Sequence, residues 1–280
     1  MESSEYCQNL VRTHDRDRYL ASLFAPETVR PHLFALYAFN SEVARVRESV
    51  SEPGLGEIRL QWWRDTIAAI YQGNTPDHPA AECLAAAITH GSLPQSAFQN
   101  LIDARVFDLY DDPMPSLHDL QGYLGETSSV LIQLAASILA GRSAQGAAEA
   151  SGHAGIAYGL TGLLRTLPVH RARGQCFLPK DVLSKHEASP ASVLSGRWGE
   201  GERAAITELC ADASHHLAQA RANREDVPAQ ALPAFLPVSL VDGFLKKLQR
   251  PSFNPFESVA EVSQLRRQWR LLRSAASKRF

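Results

Sequence analysis

Cysteine is scarce in this chain. The four present, Cys7, Cys83, Cys176 and Cys210, are scattered and form no Cys-x-x-Cys pair. That spacing argues against a disulfide framework or a zinc site and suits a reducing compartment. An excess of charge of one sign is also missing. Twenty-eight Lys and Arg against thirty Asp and Glu leave a formal net charge of -2, so no global field draws the chain to nucleic acid. Long apolar runs are absent too. The longest, 130–140, contains Gln133 and falls far short of the ~20 residues that span a bilayer. The acidic start, Met1 to Cys7, has neither the apolar core of a signal peptide nor the Arg-rich look of a mitochondrial presequence. These absences predict a soluble protein, cytoplasmic if bacterial. No strand-like alternation, internal repeat or linker divides the 280 residues, so one large domain is expected.

What is present is helical periodicity. Apolar residues make up 45% and charged residues 21%, an ordinary globular balance. Tyr19, Leu20, Leu23 and Phe24 share a stripe that Pro26 ends. A second helix starts near Pro31 and carries Leu33, Leu36, Tyr37 and Val43. A third, 58–71, aligns Leu60, Trp63 and Ile67. Further helices are predicted over 80–90, 96–110, 117–140, 144–167, 202–225, 239–250 and 261–277. The 144–167 stretch is rich in Ala and Gly, which lets helices approach closely or leaves room for a ligand. The expectation is one all-α domain of roughly ten packed helices.

Three ordered segments narrow this further. Asp17-Arg-Tyr-Leu-Ala-Ser-Leu-Phe is followed by Ala35-Leu-Tyr-Ala-Phe. Next comes Gly56-Glu-Ile-Arg-Leu-Gln-Trp-Trp-Arg64. The last runs from Gly162 to Pro179 and contains Leu164-Arg165 and Phe177-Leu-Pro. In this order the chain resembles the squalene/phytoene synthases, and the resemblance covers most of it. It implies an isoprenoid-synthase helical bundle with a central cavity. In that family two Asp-rich motifs face each other. Carboxylates at i and i+4 share a helix face, and two such faces hold Mg²⁺, which bridges to substrate phosphates and neutralises a leaving diphosphate.

Those carboxylates are largely missing here. The first motif aligns with Ala44-Arg45-Val46-Arg47-Glu48, leaving Glu48 as its one acid. In the second, Thr166 and His170 stand at the aspartate positions, with Pro168 between them. Threonine and histidine are poor ligands for a hard, oxygen-seeking ion. No metal ligand set and no resident cofactor is therefore expected. Mg²⁺ belongs only to the alternative of an active prenyltransferase that condenses prenyl diphosphates. The substitutions themselves, with Leu164-Arg-Thr-Leu-Pro-Val-His170, resemble a divergent branch that includes a mitochondrial assembly factor for respiratory complex I. That likeness implies a non-canonical role with complex I subunits or assembly proteins as partners. A third alternative is a non-catalytic isoprenoid- or lipid-binding protein.

Several candidates have a bland reading beside the functional one. Arg165, His170, Arg171 and Arg173 form a basic cluster that could capture a diphosphate or phospholipid head group, or be a solvated helix end. Arg45, with Arg47, is expected to pair with nearby acids. Tyr37 and Tyr123 lie where the family lines its cavity, or else in the core. Asp108, Asp111 and Asp112 precede Pro113 and read as solvated turn residues rather than a metal site. Trp62, Trp63 and Arg64 read as packing. Adjacent His215 and His216 suggest nothing special. Thr127, Ser128 and Ser129 suit either a helix contact or a cavity wall. Finally, 261–280 reads as a basic amphipathic helix. Leu265, Trp269 and Leu272 sit at i, i+4 and i+7, and no acid occurs from Gln264 onward. It could lie on an anionic membrane, peripheral on the inner face, or pack its Leu/Trp stripe on the domain. Packing is the reading preferred from sequence.

Overall fold

Helices account for the regular structure of the computed structural model, which describes residues 3–280. Among these residues there is no strand. The N-terminal third comprises α1 (Ser3–His14), α2 (Arg16–Ser22), α3 (Arg30–Ala44), α4 (Pro53–Tyr71), α5 (Pro79–Gly91) and α6 (Gln95–Ala104). The centre holds α7 (Leu117–Leu124), α8 (Val130–Ala140), α9 (Ala148–Arg165) and α10 (Leu167–Ala172). The remainder holds α11 (Lys180–Lys185), α12 (Pro190–Ser195), α13 (Glu200–Ala222), α14 (Leu232–Phe235), α15 (Val241–Leu248) and α16 (Gln264–Ser277). Proline at the first turn starts α3, α4, α5, α10 and α12. Its missing N–H costs nothing there, because that group has no intrahelical partner.

The core forms where the periodic stripes meet. Leu33 to Phe39 on α3 are all buried, as are Leu60, Trp63 and Ile67 on α4. Phe39 packs edge-on against both Trp63 and Phe98, with ring centroids 5.1 and 5.4 Å apart. Helix α9 runs through the middle and pairs most extensively with α13. A π-helical turn, Gly125–Ser129, joins α7 to α8. A Cβ at Gly155 of α9 would collide with the backbone of Ser129, so the glycine is what allows this close approach. Ser128 and Ser129 therefore serve a helix contact, and so does the small-residue stretch of α9.

Three expectations are corrected. Leu23 and Phe24 do not pack inward; each is 40% exposed, while Ala21 and Ser22 are buried. The stripe Leu265, Trp269 and Leu272 also faces out, and α16 instead buries Arg267, Leu271 and Ser274. Asp108 is not a solvated turn residue. It is buried, bound to Arg105 Nη1 at 2.9 Å and to the Tyr123 hydroxyl at 2.7 Å. By length and composition the helical run Leu117–Arg165 could cross a bilayer, yet 56% of its most apolar window is buried in the bundle.

Candidate functional site

The first motif lies across a helix end. Ala44 is the last residue of α3, and Glu48 sits on a separate 3-10 turn, Val46–Ser49. The Glu48 carboxylate accepts from Arg45 Nε at 3.0 Å and from Arg173 Nη1 at 2.9 Å. Arg173 caps the C-terminal end of α10, so this ion pair joins the two motif segments directly. Burial works to raise the Glu48 pKa, but the bonds from the two arginines outweigh it and hold the carboxyl below its ordinary range. Arg47 points elsewhere, to Asp111 at 3.5 Å.

The second motif also breaks its helix. Thr166 links α9 to α10, and Pro168 has no N–H with which to continue the ladder. Val169 N–H turns to the Thr166 carbonyl at 2.9 Å, and the Arg165 carbonyl it would have met accepts instead from the Ala260 backbone N–H at 3.2 Å. Thr166 Oγ1 donates to the Gly162 carbonyl at 2.7 Å. Its 3.0 Å contact with His170 Nε2 is therefore a bond donated by the imidazole. The tautomer follows: Nε2 carries the proton, and Nδ1 is bare, buried and, among the described residues, without a partner. Phe177 closes the ring edge-on at 4.8 Å. Burial, helped by the charge of Arg173, lowers the His170 pKa to about 4, so the ring is neutral at physiological pH.

The basic cluster expected at 165–173 does not assemble into one site. Arg165 turns back to Glu261 at 2.7 Å and Asp17 at 3.7 Å, with its guanidinium 4.3 Å from the centre of the Phe244 ring. Arg267 completes this group, 2.9 Å from Asp17 and 3.2 Å from Glu261. Arg171 lies over Gly196, its Nε buried and, among the described residues, unpaired. Of the four, His170 is spent on Thr166 and Arg173 on Glu48. What remains is a poor donor set for Mg²⁺: one carboxylate already matched by two guanidinium groups, beside a hydroxyl and an imidazole bonded to each other. Among the described residues, no group of three His, Cys, Asp or Glu side chains is placed to hold a metal ion.

The two tyrosines are occupied as well. Tyr37 is 2% exposed, and Arg18 lies 5.6 Å from its ring centre and 5.1 Å from that of Tyr158. Asp15 neutralises Arg18 at 2.7 Å. The Tyr123 hydroxyl accepts from Arg105 Nη1 at 2.7 Å while donating to Asp108. Sequence reasoning passed over Arg18, Tyr158 and Arg105. Asp15 and Arg18 at i and i+3, and likewise Arg105 and Asp108, were the available signal. Of the adjacent histidines, His216 meets His153 with 2.8 Å between the Nδ1 atoms and also contacts Gln121. Trp63 is core as expected, Trp62 is 40% exposed, and Arg64 pairs with Asp103 at 2.6 Å.

Comparison with known proteins gives the chain its family and its fold. The profile of the family described as squalene/phytoene synthase matches residues 11–273. The chain is similar to "NADH dehydrogenase (ubiquinone) complex I, assembly factor 6" of Homo sapiens. The identity is 35% over 254 residues, covering 91% of this chain and 76% of the relative. A squalene synthase from Alicyclobacillus acidocaldarius superposes with a TM-score of 0.79 at 22% identity, covering 91% of this chain and 95% of that one. A dehydrosqualene synthase superposes with 0.82 at 16% identity, covering 99% and 96%. At such identities the two structures speak for the fold alone.

Proposed function

This chain belongs to the squalene/phytoene synthase family, and we propose that it is a non-catalytic member that serves the assembly of respiratory complex I. The observation that carries the reading is the Arg45–Glu48–Arg173 bridge. Diphosphate chemistry in this fold needs carboxylates free to bind Mg²⁺ on two facing walls. Here the one acid left in the two motifs is matched by a cation from each, so the walls are joined without metal. No resident cofactor belongs to this reading. The cellular context comes from the human relative, named for assembly of complex I. The partners are then complex I subunits or assembly proteins, met at the inner face of the membrane and, in a bacterial cell, from the cytoplasm.

Deleting the protein in its native cell tests this role. Assembled complex I, read as NADH dehydrogenase activity on a native gel, is expected to fall. It should be restored by the wild-type chain and equally by Glu48→Gln, which cannot ligate a metal as a carboxylate. Unchanged complex I in the deletion would overturn the reading. Rescue by wild type but not by Glu48→Gln, with both folded, would favour the active prenyltransferase.

A further inference from the structure

Helix α16 separates two surfaces of opposite character. On one flank it forms an apolar groove of about 530 Å³ with α2, walled by Leu23, Phe24, Leu265, Trp269 and Leu272. Leu265 is 80% exposed, Trp269 65% and Leu272 52%, so three large apolar side chains stand together in water. On the other flank lie two clefts against α15, of about 400 and 420 Å³, which share Lys246 and Arg270. Arg273 and Arg279 line the first, and Lys247, Arg250 and Arg266 the second. Gly243 on α15 has no side chain where the Arg270 guanidinium crosses it.

The electrostatics of this edge are one-sided. Among the described residues, Lys246, Arg250, Arg266, Arg270, Arg273 and Arg279 make no ion pair. The two acids nearby are already taken: Asp242 by Arg221 at 2.8 Å, and Glu261 by Arg165 and Arg267. The chain as a whole is slightly acidic, at -2, so these cations are a local concentration of charge rather than a general property. Arg267, the one arginine of α16 that turns inward, anchors the helix to Asp17. The anchor fixes which face looks out.

We propose that the α2–α15–α16 edge is a docking surface for an anionic lipid bilayer. Leu265, Trp269 and Leu272 enter the head-group boundary, and Arg266, Arg270 and Arg273 meet lipid phosphates. A bilayer is the partner that supplies both halves, an apolar layer and, directly above it, a sheet of negative charge. Tryptophan suits that boundary because its ring is amphipathic. The proposal gives a structural basis to the peripheral part of the function proposed above and is tested separately from the assembly role.

The test is co-sedimentation of the full chain with vesicles of phosphatidylcholine alone or mixed with phosphatidylglycerol. Binding is expected to the mixed vesicles at low salt and to be largely lost at about 0.5 M salt, where the Debye length shrinks severalfold. Each of Arg266→Ala, Arg270→Ala and Arg273→Ala should weaken binding about fivefold. Leu265→Ser with Trp269→Ala should abolish it, while the thermal melt, read alongside, stays at the wild-type value. Binding that ignores lipid charge or salt, or no binding by folded wild type, overturns the proposal. The latter outcome together with normal rescue of complex I would assign the patch to a protein partner and leave the assembly reading intact.

Discussion

The motif region and the α16 edge both carry many arginines, and they use them in opposite ways. Between the degraded motifs, Arg45 and Arg173 share Glu48, Arg47 meets Asp111, and His170 meets Thr166. On the α16 edge, Arg266 and Arg273 are exposed and Arg270 is half-buried over Gly243, beside exposed Leu265 and Trp269. A charge matched inside the fold is a structural element; an unmatched charge beside apolar surface is open to a partner. The difference teaches that Arg45, Arg47 and Arg173 of the motif segments are spent on acids inside the fold, whereas among the described residues Arg266, Arg270 and Arg273 of the α16 edge meet none. The two regions are tied by one group, Asp17, Arg165, Glu261 and Arg267.

Breaking that tie should have the largest effect. Arg267→Ala leaves Asp17, 5% exposed, without its nearest cation. Removing one partner of a buried pair costs about 3–5 kcal/mol, to be read in urea unfolding, and α16 should lose hydrogen-exchange protection. The next effect belongs to the motif side. His170 titrates near its ordinary 6.5 when unfolded and at about 4 when folded. The unfolded chain therefore gains a proton first as pH falls. Stability is complete above pH 6.5 and is lost between 6.5 and about 4, by on the order of 3 kcal/mol. His170→Gln should remove that part of the acid slope in urea unfolding at stepped pH.

Arg173→Ala opens the bridge between the motifs. The pair is partly exposed, so the expected loss is no more than about 1 kcal/mol, and added Mg²⁺ should still not shift the melting temperature. The smallest effect is on the edge. Leu265→Ser should change stability by less than about 0.5 kcal/mol, because the side chain is 80% exposed. A large loss there would mean that the stripe is packing surface after all and would erase the contrast.

Much of the fold was legible because buried stripes repeat with the helical period. Leu60, Trp63 and Ile67 are core as their spacing indicates, and the ordered motifs pointed to the bundle. Helix α1 escaped because only Cys7 and Val11 of its twelve residues are buried, too few to set a pattern. The orientation of α16 was misread for a different reason. Periodicity tells which residues share a face, not which face meets the domain. That choice is made by Asp17, a buried acid about 250 residues away in sequence that draws Arg267 inward. Asp108 was misread because Tyr123, which donates to its carboxylate, lies on a later segment, and the local pairing with Arg105 at i−3 was passed over. The loss of carboxylates at Ala44, Thr166 and His170 was plain in the sequence. That Arg173 would close on Glu48 across 125 residues was not.

The most direct measurement of the central claim is pyrophosphate release from farnesyl and geranylgeranyl diphosphate, with Mg²⁺ or Mn²⁺ and the purified full chain. With both motif segments held by Arg45, Glu48 and Arg173, release is expected to stay at the rate without protein for either substrate and either metal. Metal-dependent turnover that disappears in Glu48→Gln would contradict the account.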